Sequence, residues 1–179
     1  MQGARPVAAR PPGAAIPGLL IVRPDEMLFF ANVASVRDRI LEAAAAAEPP
    51  PTVVLLDLPL TPEVDVPVVE ALEDLRQRLA ADGIELWLSH LQPGARAQLE
   101  RAGTLAAIGA ARVHPREIDG IVAFALSQPG AEERVAVLAD ILSIIRERAA
   151  RPGTSDVELE ILTALEQRLA AELAAAGGS

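Results

Sequence analysis

Residues 52–79 read TVVLLDLPLTPEVDVPVVEALEDLRQRL, and this stretch decides the fold. It opens on a run of β-branched residues and leucine, 52–58, with almost no polar interruption. Such a run marks a strand covered on both faces. The loop 59–66 that follows is punctuated by proline. Pro67 suits the first turn of a helix, where its missing N–H costs nothing. Asp65, just ahead of it, is placed as an N-cap. Val68, Val69, Leu72, Leu75 and Leu79 then recur at three and four residues, the apolar stripe of a helix. Asp82-Gly83 closes it, glycine being the usual left-handed residue beyond a helix end.

The same grammar extends both ways. Upstream, 18–23 (GLLIVR) and 27–31 (MLFFA) flank a Pro-Asp-Glu turn and read as a β-hairpin. Asn32 follows as the expected cap of a helix carrying Val33, Val36, Ile40 and Leu41, which ends before Pro49-Pro50-Pro51. Downstream, 84–91 (IELWLSHL) reads as a half-covered strand, and 93–102 as a short helix stopped by Gly103. Residues 112–114 read as an edge strand and 117–126 as a helix. Helices alternating with short strands predict an α/β fold, a mixed, mostly parallel sheet with helices packed on it.

Beyond Gln128-Pro129-Gly130 the pattern changes. Val135, Leu138, Ile141 or Leu142, and Ile145 form one stripe; Leu162, Leu165, Leu169 and Leu173 form another. Ser155 with Glu158 has the spacing of a capping box. A C-terminal helical hairpin is expected, folded on the domain or paired with another chain. The organisation read here is a Pro/Gly-rich linker over 1–16, a domain over 17–128 and a helical extension over 129–179.

Composition removes most chemistries. The chain holds no Cys, and all 16 basic residues are Arg. Thiol nucleophiles, Schiff-base lysines and the lysine of a phosphate-binding loop are therefore excluded. Two histidines are too few for a His-rich metal site. A net charge of −9 disfavours nucleic acid and anionic lipid. No segment approaches the roughly 20 apolar residues of a membrane span, and the N-terminus lacks the apolar core of a signal peptide. No catalytic residue, metal or cofactor is expected.

Several polar residues admit a catalytic or ligand reading beside a structural one. Asp57, at the end of an apolar strand, needs partners; backbone N–H groups of the 59–66 loop are the expected ones. Asp57 with Asp65 resembles a carboxylate pair, but only Trp87 could supply a sugar platform. Ser89, His90 and Asp57 resemble a triad, yet adjacent strand residues point to opposite faces. His114, before Pro115, reads as a surface or loop residue. The helix starts at Asn32 and Pro67 could hold a nucleotide phosphate, but plain capped helices account for them.

Several motifs resemble a known family. PGLLIVRPDEMLFFAN (17–32), VVLLDLPLTPEVDVPVVEALEDL (53–75), Gly83-Ile84 opening a strand, and LERAG followed by RVHP are similar to the STAS domain of bacterial SulP anion transporters. The resemblance covers residues 17–128. It implies a non-catalytic regulatory and protein-interaction domain on the cytoplasmic face of the bacterial inner membrane, soluble as a fragment. It follows the membrane domain of a transporter of inorganic anions such as sulfate, or of dicarboxylates. The implied partner is that membrane domain, through Asp57, Pro59, Thr61, Glu63, Asp65, Val66 and Pro67. A cytosolic protein and a homodimer through the C-terminal helices are further partners. The alternative is a standalone binding protein of the anti-sigma factor antagonist class. In that class a Ser at this helix start is phosphorylated; Val66 and Pro67 stand here and cannot accept phosphate.

Overall fold

The computed structural model describes residues 16–150, 153 and 156–177. Four strands, β1 (Leu19–Val22), β2 (Val53–Asp57), β3 (Glu85–Ser89) and β4 (Val113–His114), form one sheet in the order β1-β2-β3-β4, every pairing parallel. The crossovers are α1 (Val33–Ala46), α2 (Val66–Ala81), and the pair α3 (Pro93–Arg101) and α4 (Thr104–Ile108). Sequential strands that pair with their neighbours, joined by crossovers of one hand, send these four crossover helices to the same face. The core agrees. Val22, Val54, Leu56, Leu86 and Leu88 cluster with Ile40, Val68, Leu72, Leu75, Leu79, Leu99 and Ile108 from the four helices.

Each sheet partner lies on the same face as its register mate, so Leu55 and Trp87 share the opposite face with His114. That face meets the start of α5 (Glu117–Ser127). Gly120 allows the contact, because a Cβ there would stand 2.9 Å from a Leu55 methyl and 3.2 Å from the His114 ring. All of β2 is buried, as its unbroken apolar run predicts.

The expected hairpin over 18–31 does not form. Only its first arm is a strand, and β1 pairs in parallel with β2, Leu19 beside Val53. The second arm, 27–31, is loop, held by side chains instead of a ladder. Its apolar run is split by burial, Leu28 inside and Phe30 out. Ile16, within the stretch read as linker, is buried and bridges Leu19. Residues 1–15 lie outside the described residues.

The chain divides into two compact units between Gly120 and Ile121. The second contains α6 (Ala131–Ala149) and α7 (Asp156–Gly177), which pack on each other. Leu138, Ile141, Leu142 and Ile145 of α6 and Leu162 and Leu169 of α7 are buried, and Arg146 pairs with Glu166 at 2.6 Å. Leu173 is half-buried. The side chain of Leu165 and the Ser155–Glu158 capping signature lie outside the described residues.

Candidate docking surface and the Asp57 cluster

Register brings a row of polar side chains to the carboxyl end of the sheet. Val22 pairs with Leu56, so Arg23 follows beside Asp57; Asp57 pairs with Ser89, and Ser89 with His114. Asp57 is fully buried. Its Oδ2 accepts from Arg23 Nε at 2.6 Å, and its Oδ1 accepts from Ser89 Oγ at 2.7 Å and pairs with His90 Nδ1 at 2.7 Å. Arg23 also donates through Nη2 to Glu117 Oε2 at 2.7 Å, tying β1 and β2 to the first turn of α5.

The partners of Asp57 are thus side chains, in place of the loop N–H groups expected from the sequence. The approach of both Ser89 and His90 to one carboxylate corrects a second expectation. His90 has φ of 55°, which turns the chain out of the strand and swings its ring toward the carboxylate that its neighbour already holds. Both residues converge on Asp57, so this is no triad. A hydroxyl has one proton, and Ser89 donates its own to the Asp57 carboxylate, not to the His90 ring.

His114 is buried in β4, not at the surface. Its ring lies 5.1 Å from that of Trp87, and its Nε2 has no hydrogen-bond partner. Burial pushes its pKa down, with Asp119 opposing. Trp87 is itself buried and donates to Glu85, so it offers no sugar platform. Burial raises the pKa of Glu85, but hydrogen bonds from Trp87 and Arg112 outweigh it and hold the group below its usual range.

Above this row, two loops lie side by side. Thr61 Oγ1 accepts from Leu28 N at 3.1 Å, and Asp65 Oδ2 accepts from Phe30 N at 3.1 Å. The other oxygen of Asp65 caps α2 at Val68 N, as expected. Asn32 stands at the N-cap position of α1 but makes no side-chain cap. Its amide instead accepts from Phe29 N and donates to Met27 O, closing the first loop on itself. From the far side, α3 fixes the second loop. Ala95 N donates to Pro62 O and Gln98 Oε1 accepts from Val64 N. Gly94 permits this approach, because a Cβ there would stand 2.6 Å from Pro62 O.

The interior of these loops is apolar: Leu28, Leu58, Val64 and Val68 are each at most 5% exposed. So is much of the exterior. Met27 is 46% exposed, Phe30 69%, Leu60 53% and Val66 69%. With Leu126 they are all the exposed large hydrophobics among the described residues, and four of five gathered on two adjoining loops is a patch.

Of the residues singled out from sequence, Glu63, Val66 and Pro67 reach the surface; Pro59 and Asp65 are half-buried. Thr61 is buried and acts as a tie between the loops. Met27 and Phe30 escaped sequence reading because their apolar run imitates a strand. Arg23 and Glu117 escaped because they meet across 94 residues. Among the described residues no acidic, His or Cys cluster could hold a metal ion, and no helix is long and apolar enough to cross a membrane.

The STAS domain family model matches residues 10–119. A curated protein, probable sulfate transporter 4.2 of Arabidopsis thaliana, is 30% identical over 101 residues, 51% of this chain. The chain spans only 15% of that protein's length. Among solved structures, a sulfate transporter family protein from Wolinella succinogenes is 25% identical, with 58% of this chain and 82% of that one covered and a TM-score of 0.51. The SulP transporter STAS domain from Vibrio cholerae is 20% identical over 58% of this chain and 78% of that one, TM-score 0.50. The murine solute carrier 26 family member A9 anion transporter is 21% identical over 62% of this chain and 18% of that one, TM-score 0.54. The last two likenesses speak for the fold alone.

Proposed function

From its membership of the STAS domain family, which the chain belongs to, we propose that it is the regulatory and interaction domain of a SulP-type anion transporter. It works without catalysis, on the cytoplasmic side of the membrane, by docking against the membrane domain of the same protein. The observation that carries this reading is the patch of Met27, Phe30, Leu60 and Val66. Its backbone is pinned from below by Thr61, Asp65, Asn32 and α3. An apolar surface held rigid in this way suits contact, because little entropy is lost on binding. The Asp57 cluster supports the same role. Its buried carboxylate is occupied by Arg23, Ser89 and His90, which suits a structural tie beneath the loops.

The 59–66 loop and the start of α2 are therefore assigned as the fixed contact, with Glu63, Val66 and Pro67 outward. Because the chain lacks Cys, a cysteine at Leu60 or Val66 is a unique label within it. In the protein from the complete reading frame, a thiol-directed photo-crosslinker at those positions is expected to capture the membrane region. A cysteine at Asp82, beyond the far end of α2, should not. Equal capture from all three positions, or none from Leu60 and Val66, would overturn the reading. A reading frame without a membrane region would favour a standalone binding protein.

A further inference from the structure

The charged side chains within the two loops and the first turns of α2 are of one sign. Asp25 and Glu26 precede Met27, Glu63 lies between Leu60 and Val66, and Glu70 follows one turn later on α2; all four are exposed. No Arg occurs in 24–36 or 58–75, and the chain has no Lys. Arg23 and Arg37, which bound the first stretch, are held by Asp57 and Glu117 and by Asp38 and Asp74 respectively. The acidic margin therefore has no cation of its own within either loop.

We infer that this patch takes a cationic amphipathic segment of protein. Its apolar side chains cover Met27, Phe30, Leu60 and Val66, while Arg or Lys side chains lie beside Asp25, Glu26, Glu63 and Glu70. The inference rests on the docking role proposed above and adds the chemistry of the partner. Covering the four apolar side chains supplies the attraction, at about 25 cal/mol per Å² removed from water. The margin supplies orientation, on-rate and selectivity.

Electrostatics decides between occupants. An anionic lipid surface or nucleic acid meets repulsion from the margin and from the net charge of −9. A second copy in a two-fold contact would set the acidic margin against itself. A loop on the cytoplasmic side of a membrane domain fits, because such loops carry an excess of Lys and Arg.

The test uses the full 179-residue chain and labelled synthetic helices of about five turns. One helix has a Leu face and an Arg/Lys face, and a second has the same Leu face with Glu opposite. Fluorescence anisotropy is expected to show binding of the first alone. Phe30→Ser with Val66→Ser, and separately Glu26→Arg with Glu63→Arg, should each weaken it by about tenfold or more, or 1.4 kcal/mol. Glu42→Arg with Glu48→Arg, which reverses exposed charges on and after α1, should leave it nearly unchanged. Equal weakening by that distal pair would reduce the effect to net charge and overturn the inference. So would equal binding of the Glu helix, or a concentration-dependent dimer of the chain abolished by Phe30→Ser. The same variants in the crosslinking experiment, with the cysteine at Leu60, separate the two readings. Capture lost with the apolar pair but kept with Glu26→Arg and Glu63→Arg leaves the docking surface standing and removes the cationic partner. Capture unaffected by either pair removes both.

Discussion

The carboxylate of Asp65 receives two backbone N–H groups from different parts of the chain, Val68 at 3.0 Å on Oδ1 and Phe30 at 3.1 Å on Oδ2. One side chain thus caps α2 and holds the neighbouring loop against it. The proposed contact surface is organised around this shared acceptor.

Asp65→Ala removes both bonds. The cap contributes about 1 kcal/mol and the loop bond about the same, so a total loss of about 2 kcal/mol is expected in urea denaturation. Hydrogen exchange at the Phe30 amide should rise even under conditions where the core stays protected. Protection at Phe30 that is unchanged in Asp65→Ala would show that the loop stands without this tie.

Asp57→Ala and Arg23→Ala should differ in cost. Asp57 is fully buried and serves Ser89, His90 and Arg23, whereas the Arg23 side chain is half exposed. Losing the carboxylate leaves the buried Ser89 hydroxyl without an acceptor, at about 2–3 kcal/mol. Removing Arg23, whose ion pair is partly screened by water, should cost about 1 kcal/mol. Equal losses in equilibrium denaturation would mean that Asp57 is not the hub of the cluster.

Gly94→Ala places a methyl 2.6 Å from Pro62 O, a backbone atom that cannot step aside alone. Alanine favours helix by up to about 1 kcal/mol over glycine, but the clash should outweigh that gain. A net loss of about 1–3 kcal/mol is expected, with the 59–66 loop displaced. A stabilised Gly94→Ala variant would count against the close approach of α3 to this loop.

His114 should make stability depend on pH near neutrality. Burial holds its pKa below the ordinary 6.5, while Asp119 opposes the shift and Trp87 and Gly120 pack on the ring. The unfolded chain therefore takes up this proton at higher pH than the folded one. Stability is fully present above about 6.5 and falls as the pH drops through that value toward the folded pKa. The slope from this group is at most about 1.4 kcal/mol per pH unit. Denaturation midpoints between pH 7.5 and 5.5, chosen about one unit either side of 6.5, should fall more steeply for the native chain than for His114→Asn. Parallel profiles would refute the assignment.

The family and its architecture were legible in sequence because both live in local patterns. The unbroken apolar run of β2, the stripe of α2 and the Asp65-Pro67 helix start each work within a dozen residues, and each appears where the spacing places it. The proposed surface was half legible. Glu63, Val66 and Pro67 were read from the loop that carries them and are exposed, but Met27 and Phe30 were hidden in a run that reads as a strand. Residues 27–31 have strand composition, yet they do not add to β1 at the sheet edge; their backbone takes Thr61, Asp65 and Asn32 as partners instead.

What the sequence by itself determined was the alternation of strand and helix, the helix start at Asp65 and the absence of Cys and Lys. Those follow from periodicity, turn chemistry and composition. Only the tertiary structure decided that Arg23, Asp57, Ser89, His90 and Glu117 meet, and that four apolar side chains on two loops form one surface. The physical reason is register. Parallel pairing sets the ends of strands 34 residues apart level with one another. A buried carboxylate then takes whatever donors that alignment brings within reach.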